Sequence, residues 1–92
     1  MYYFTYVLQS QVDKTFYIGW TNDLKHRITQ HNSRKVFSTQ NKKPYKLVYF
    51  ETCLSEKDAI AREKTLKTGF GRKYIKSRLK HYLADIIAKP SL

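Results

Sequence analysis

Five side chains in this sequence have the types and spacing to do chemistry together: Tyr6, Tyr17, Arg27, His31 and Glu63. The two tyrosines fall in short aromatic runs, YYFTYVLQS and TFYIGW, whose pairing as a hairpin puts both phenols on one face. Arg27 and His31 follow in the stretch FYIGWTNDLKHRITQH, where helical spacing makes both border or enter the apolar stripe of Leu24 and Ile28 and point toward the sheet. Glu63 sits inside the apolar arc of a later helix with Ala59, Ile60 and Leu66, and a core-facing carboxylate wants a partner or a metal. A guanidinium forks onto two oxygens of a phosphate, so the set suits chemistry at a phosphate group. Each residue also has a plain architectural reading: core tyrosines, a snorkelling arginine, a satisfied interface histidine and a Glu63 to Arg27 ion pair.

The elements that must position these groups follow from local pattern. The two aromatic runs are separated by the polar QVDK, which reads as an antiparallel hairpin. A register with Tyr6 opposite Tyr17 and Phe4 opposite Gly19 is expected. TNDL supplies Thr21 or Asn22 as an N-cap, with Asp23 in the first turn, and the helix runs to about Asn32. SRKVFSTQNKKP is a polar, basic loop, and after Pro44 the run YKLVYFETCL predicts a third strand. SEKD resembles a capping box in which Ser55 opens a second helix ending near Gly69. One last helix is expected over RKYIKSRLKHYLADIIA, docking Ile75, Leu79, Tyr82, Leu83 and Ile86 and turning out basic residues. The fold class is therefore α+β, in the order β-β-α-β-α-α, with one domain over residues 1–88 and a tail at 89–92.

Composition narrows the partners. Eighteen Lys and Arg against seven Asp and Glu give a net charge of +11 on 92 residues, a strong positive potential that attracts polyanions, nucleic acid first among them. Arg34, Lys35, Lys42, Lys43, Lys46, Arg72 and Lys73 offer phosphate contacts without an evident base-reading element. With 41% hydrophobic and 15% aromatic residues the chain has the apolar surface to fold. Cys53 is the single cysteine, which excludes an intramolecular disulfide and a cysteine-rich zinc site and reads as a small core residue in a reducing compartment. No apolar run approaches the roughly 20 residues of a membrane span, so a cytoplasmic protein without membrane contact is expected.

The string FTY at 4–6, YIG at 17–19, Arg27, HN at 31 and 32, KPYKLVYFE at 43–51 and AREKTLK at 61–67 resembles the GIY-YIG nuclease superfamily. The likeness covers nearly the whole chain and is closest to small stand-alone bacterial members. A more distant likeness is to the N-terminal nuclease domain of the incision subunit of the excision-repair endonuclease. The resemblance implies a three-stranded antiparallel sheet flanked by helices and a phosphodiester hydrolase using one divalent ion, Mg²⁺ or Mn²⁺. It makes Tyr6 and Tyr17 the tyrosines of the two motif halves, Arg27 the catalytic arginine, His31 a polar residue facing the active site, and Glu63 the metal-binding glutamate. Phe4-Thr5 stands where Gly-Ile precedes the first motif tyrosine, a departure that spares the tyrosine itself.

The chemistry that this likeness implies is consistent with the residue types. Phosphodiester hydrolysis needs an activated water, counter-charge on the pentacoordinate phosphate and a stabilised leaving group. A tyrosine's ordinary pKa near ~10 leaves about one phenol in a thousand ionised at pH 7, so Arg27 and a cation on Glu63 must assist Tyr17 as base. One carboxylate holds Mg²⁺ weakly, so the ion arrives with several waters. The expected activity is a metal-dependent endonuclease acting on nucleic acid, with DNA as first choice. The alternative is a nucleic-acid-binding module with weak or lost cleavage, and a third reading is a structural component of a ribonucleoprotein assembly.

Overall fold

The computed structural model describes residues 1–33 and 41–88. Arg34 and Lys35, most of the basic loop and the tail at 89–92 lie outside the described residues. The strands β1 (Tyr3–Ser10), β2 (Phe16–Thr21) and β3 (Tyr45–Cys53) form an antiparallel sheet in the order β2-β1-β3. The helices are α1 (Leu24–Asn32), α2 (Glu56–Leu66), α3 (Gly69–Arg78) and α4 (Lys80–Ala88). β1 is the central strand, and its residues Thr5 to Ser10 are all buried because both faces of the sheet are covered.

One face holds Tyr6, Leu8 and Tyr45, packed by Tyr17 and Leu47 and by Leu24 and Ile28 of α1. The opposite face holds Val7 and Ile18 against Leu66, Ile75 and Leu79, with Val48, Tyr49, Tyr82 and Leu83 around them. A bulge in the β1–β3 pairing explains how odd-numbered residues of β3 serve both faces. Tyr49 opposes Val7, whereas beyond the irregularity Leu47 opposes Leu8 and Tyr45 opposes Ser10. The extra residue reverses the alternation, so Tyr45 and Leu47 turn toward α1 while Tyr49 turns away.

Three local expectations are corrected. Tyr6 opposes Gly19 and Tyr17 opposes Leu8, a register two residues away from the one expected. The connection sets it: Ser10 N–H donates to Thr15 O and Lys14 N–H to Ser10 O, closing a wider loop over residues 11–14. The N-cap of α1 is Asp23, whose side chain accepts from His26 N–H, while Thr21 Oγ1 accepts from Asp23 N–H. The single helix expected at the end is two, α3 and α4, divided at Leu79, whose backbone leaves the helical region. Thr68 caps α3 by accepting from Gly71 N–H, whereas Ser55 precedes α2 without a side-chain cap bond. Cys53 is half-buried at the end of β3, its thiol directed to Ser55 O. Among the described residues no helix is long and apolar enough to cross a membrane.

Candidate active site

Tyr6 is the hub of the α1-facing side of the sheet. It is 2% exposed, and its ring lies over Gly19, where an added Cβ would stand 2.5 Å from the phenol oxygen. Only a residue without a side chain leaves that space, which is the local reason for a glycine opposite this tyrosine. The phenol reaches across to α1, where Tyr6 Oη and His31 Nε2 share a hydrogen bond of 2.9 Å. His31 is fully buried, its ring edge-on to Tyr17 at 4.7 Å and to Tyr6 at 5.8 Å between centroids. Tyr17 lies 6.5 Å from both Tyr6 and Tyr45. The two phenols therefore share a face as a diagonal pair, not as directly opposed residues.

The C-terminal end of α1 is fixed by the residue after His31. Asn32 Oδ1 accepts from Tyr45 N–H at 2.6 Å and Asn32 Nδ2 donates to Tyr45 O at 3.1 Å. This two-point clamp joins α1 to the first residue of β3 and holds the imidazole in the aromatic cluster. Sequence reasoning quoted Asn32 without assigning it a role; its amide, able to donate and accept at once next to a buried histidine, was the available signal.

The electrostatics tie four elements together. Burial, then the neighbouring Tyr17, raise the Tyr6 pKa above the tyrosine range, the Arg27 charge opposes the rise and the Glu63 charge adds to it. Burial, then the charge of Arg27, pull His31 down to about 4, so its imidazole is neutral at pH 7. Arg27 of α1 and Glu63 of α2 thus both act on the same phenol. Arg27 is half-buried, and the Glu63 side chain is 19% exposed. Among the described residues Glu63 pairs with Lys67 one turn on, at 3.7 Å, and no ion pair joins Glu63 to Arg27. The architectural reading of a Glu63 to Arg27 bridge is therefore set aside.

Next along α2, Arg62 grips β3. Its Nε donates to Glu51 Oε1 at 2.8 Å and its Nη2 to Glu51 Oε2 at 2.9 Å, with the guanidinium 4.8 Å from the centre of the Tyr74 ring. Tyr49 Oη also donates to Glu51 Oε2 at 2.8 Å. This network sets the rotation of α2, and hence the direction of the adjacent Glu63. Among the described residues there is no cluster of three or more His, Cys, Asp or Glu side chains able to hold a metal.

Among the described residues, the basic side chains named from sequence are dispersed. Lys42 pairs with Asp13 at 3.3 Å, Lys46 lies over the Tyr82 ring at 5.4 Å, and Lys43 is half-buried. Arg72 and Lys73 are exposed on α3. Of those that are described, Arg72 lines a cleft beside β2, with Lys14, Lys67 and Lys76, three residues outside the phosphate contacts named from sequence, of which Lys76 was read only as part of a basic helix face. Lys67 had a readable signal, standing four residues after Glu63.

Residues 2–76 match the family model described as the GIY-YIG catalytic domain. The chain belongs to the GIY-YIG family. A UPF0213 protein of Desulfotalea psychrophila is 39% identical over 67 residues, which cover 71% of this chain and 60% of that protein. The UPF0213 protein YsiG of Lactococcus lactis is 39% identical over 82 residues, covering 88% of this chain and 78% of its own length. The solution NMR structure of UPF0213 protein BH0048 from Bacillus halodurans superposes with a TM-score of 0.54 at 28% identity, covering 99% of this chain and 98% of that one. The GIY-YIG assignment rests on the family-model match over residues 2–76, and the three-stranded antiparallel sheet with flanking helices agrees with the fold neighbour. It places the chain in the GIY-YIG nuclease superfamily.

Proposed function

We propose that this GIY-YIG domain is a divalent-metal-dependent endonuclease that hydrolyses phosphodiester bonds in nucleic acid, DNA in the first instance. The observation that carries the reading is the convergence on Tyr6: a buried phenol hydrogen-bonded to neutral His31, under the opposing charges of Arg27 and Glu63.

Burial divides the labour between the tyrosines. Tyr6 keeps its proton, so it serves as an oriented hydroxyl toward the attacking water or a phosphate oxygen, with His31 holding its direction. Tyr17, half-buried on the same face, is left to take the proton of the water. Arg27 supplies a forked counter-charge to the phosphate oxygens.

Glu63 suits Mg²⁺ or Mn²⁺: it is a hard oxygen donor, partly exposed, and its Lys67 partner at 3.7 Å lies beyond hydrogen-bond distance and is displaceable. Bound there, a divalent ion would add Lewis-acid stabilisation of the phosphate and favour ionised oxygen nucleophiles.

The test is incubation with labelled single-stranded, duplex and branched substrates in Mg²⁺, Mn²⁺ or EDTA. Cleavage that requires the metal and disappears in Arg27→Ala is expected. Binding without cleavage of any substrate would favour a binding module, and cleavage undiminished in EDTA would remove the metal.

A further inference from the structure

We infer that the cleft between β2 and the α2–α3 junction is a second nucleic-acid contact, taking the phosphate backbone of an unpaired strand that leads into the Tyr17 site. The inference rests on the nuclease reading for its direction, but the cleft stands on its own geometry. The cleft has a volume of about 620 Å³, and among the described residues Lys14, Lys67, Arg72 and Lys76 line it without any carboxylate. Phe16 is a half-buried aromatic side chain of the lining, while Ile18 and Ile75 belong to the core beneath it. Cations around an apolar, part-aromatic lining suit a strand whose bases are free to leave the stack and whose phosphates stay on the rim. A duplex keeps its bases inside and presents convex phosphate rails, which leave the half-buried Phe16 ring without a base to stack on.

Two residues connect the cleft to the candidate catalytic set. Tyr17 lines it from the edge strand β2 while its ring is turned to the other face of the sheet against His31, so the unpaired strand passes around the edge of β2 to reach it, and Lys67 lines the cleft while pairing with Glu63. A phosphate drawn to Lys67 would compete with Glu63 for that ammonium, so strand binding and release of the carboxylate are coupled.

The local fold explains why the cations gather. Gly71 is pressed against the backbone of Thr65 and Leu66 so closely that any Cβ would collide with it. α3 therefore leaves the end of α2 in a tight turn, capped by Thr68, and Arg72 and Lys76, one turn apart, line the same cleft as Lys67.

Fluorescence anisotropy in EDTA, with labelled oligo-dT, oligo-U and a mixed-sequence duplex, reads binding without cleavage. A catalytically silent protein would still report on the cleft, so failure here and failure of the nuclease reading are separable. Arg72→Ala with Lys76→Ala should weaken oligo-dT or oligo-U binding roughly tenfold and lower the salt slope by about 1.4, the value for two single-strand phosphate contacts. Lys57→Ala with Lys80→Ala, which removes two exposed charges outside the cleft, should leave the affinity within about twofold. Tighter binding of oligo-dT than oligo-U, or the reverse, identifies which backbone the cleft takes, and either is consistent with it. Equal weakening by both double variants, or weakening confined to the duplex, would overturn the inference. Circular dichroism on each variant confirms that the fold is retained.

Discussion

Tyr6 occupies the space that a side chain at position 19 would fill: a Cβ on Gly19 would lie 2.5 Å from Tyr6 Oη and 2.7 Å from Cζ. The phenol cannot retreat cheaply, because it is 2% exposed and bonded to His31 Nε2. The Gly-Tyr relationship across the strands thus sets the position of a hydroxyl as much as it sets the fold.

Gly19→Ala should therefore cost about 1–3 kcal/mol through overpacking. It should also lower cleavage by roughly a hundredfold by displacing Tyr6 from its bond. Thermal melts and initial rates on one preparation test this. Native stability with native rates would mean that the ring accommodates the methyl group and that its position is not critical.

The two tyrosines should respond differently to loss of the hydroxyl. Tyr6→Phe removes the 2.9 Å hydrogen bond between Tyr6 Oη and His31 Nε2 in a buried site, at a cost of about 1–3 kcal/mol. Tyr17→Phe should change stability by less than about 1 kcal/mol while abolishing most cleavage. Chemical denaturation alongside single-turnover rates separates them. A Tyr17→Phe protein that cleaves normally would return Tyr17 to the core as an aromatic filler.

Stability should fall as pH drops from about 6.5 toward about 4. His31 has its pKa held at about 4 by burial and by Arg27, against an ordinary 6.5. In that window the unfolded chain binds a proton that the folded one refuses, so the contribution is complete above 6.5 and vanishes as pH falls through 4. The size is roughly 3 kcal/mol. Asp13 and Glu51 are held below the carboxylate range, by Thr15 and Arg62 foremost, and add their loss only at lower pH. Urea midpoints at pH 7 and at pH 5 check the sign, with His31→Gln as the control that flattens the slope.

What was legible in the sequence, and what was not, divides along physical lines. Strand runs were readable from aromatic and β-branched clustering, and helix faces from spacing: His31 is buried and Glu63 is partly buried. Register was not readable, because it depends on how Ser10 and Thr15 close the loop. The break at Leu79 was hidden by apolar periodicity that runs through it from Ile75 to Leu83. A helical wheel identifies the face on which Glu63 lies but not its partner, and the Lys67 pairing needed the structure to choose it over Arg27. The cleft depended on the close approach of Gly71 to Leu66, a packing fact without a local signature.

Arg62 should act on Glu63 without touching substrate. Its two bonds to Glu51 and its place over Tyr74 fix α2 against β3 and α3. Arg62→Lys keeps the charge but loses the fork, and should cost about 1 kcal/mol. It should also raise the Mg²⁺ concentration needed for half-maximal cleavage, with less effect on the rate at saturating metal. A metal titration that overlays the parent protein would leave Arg62 a purely structural residue.

Glu63 separates an enzyme from a binding module through the sign of one charge. Glu63→Gln keeps the shape, and among the described residues the ion pair it removes is a partly exposed one to Lys67, so stability should change by less than about 1 kcal/mol. Mg²⁺-dependent cleavage should be lost, because the hard oxygen donor that suits the ion is gone. Binding of nucleic acid in EDTA should hold or tighten, since a carboxylate no longer repels phosphate and Lys67 is freed to meet it. Melting, cleavage and anisotropy on the same variant give three independent readouts. A variant that cleaves normally with Mg²⁺ would sink the metal-ligand assignment, and one that loses binding along with cleavage would show that Glu63 acts by shaping the surface and not by holding an ion.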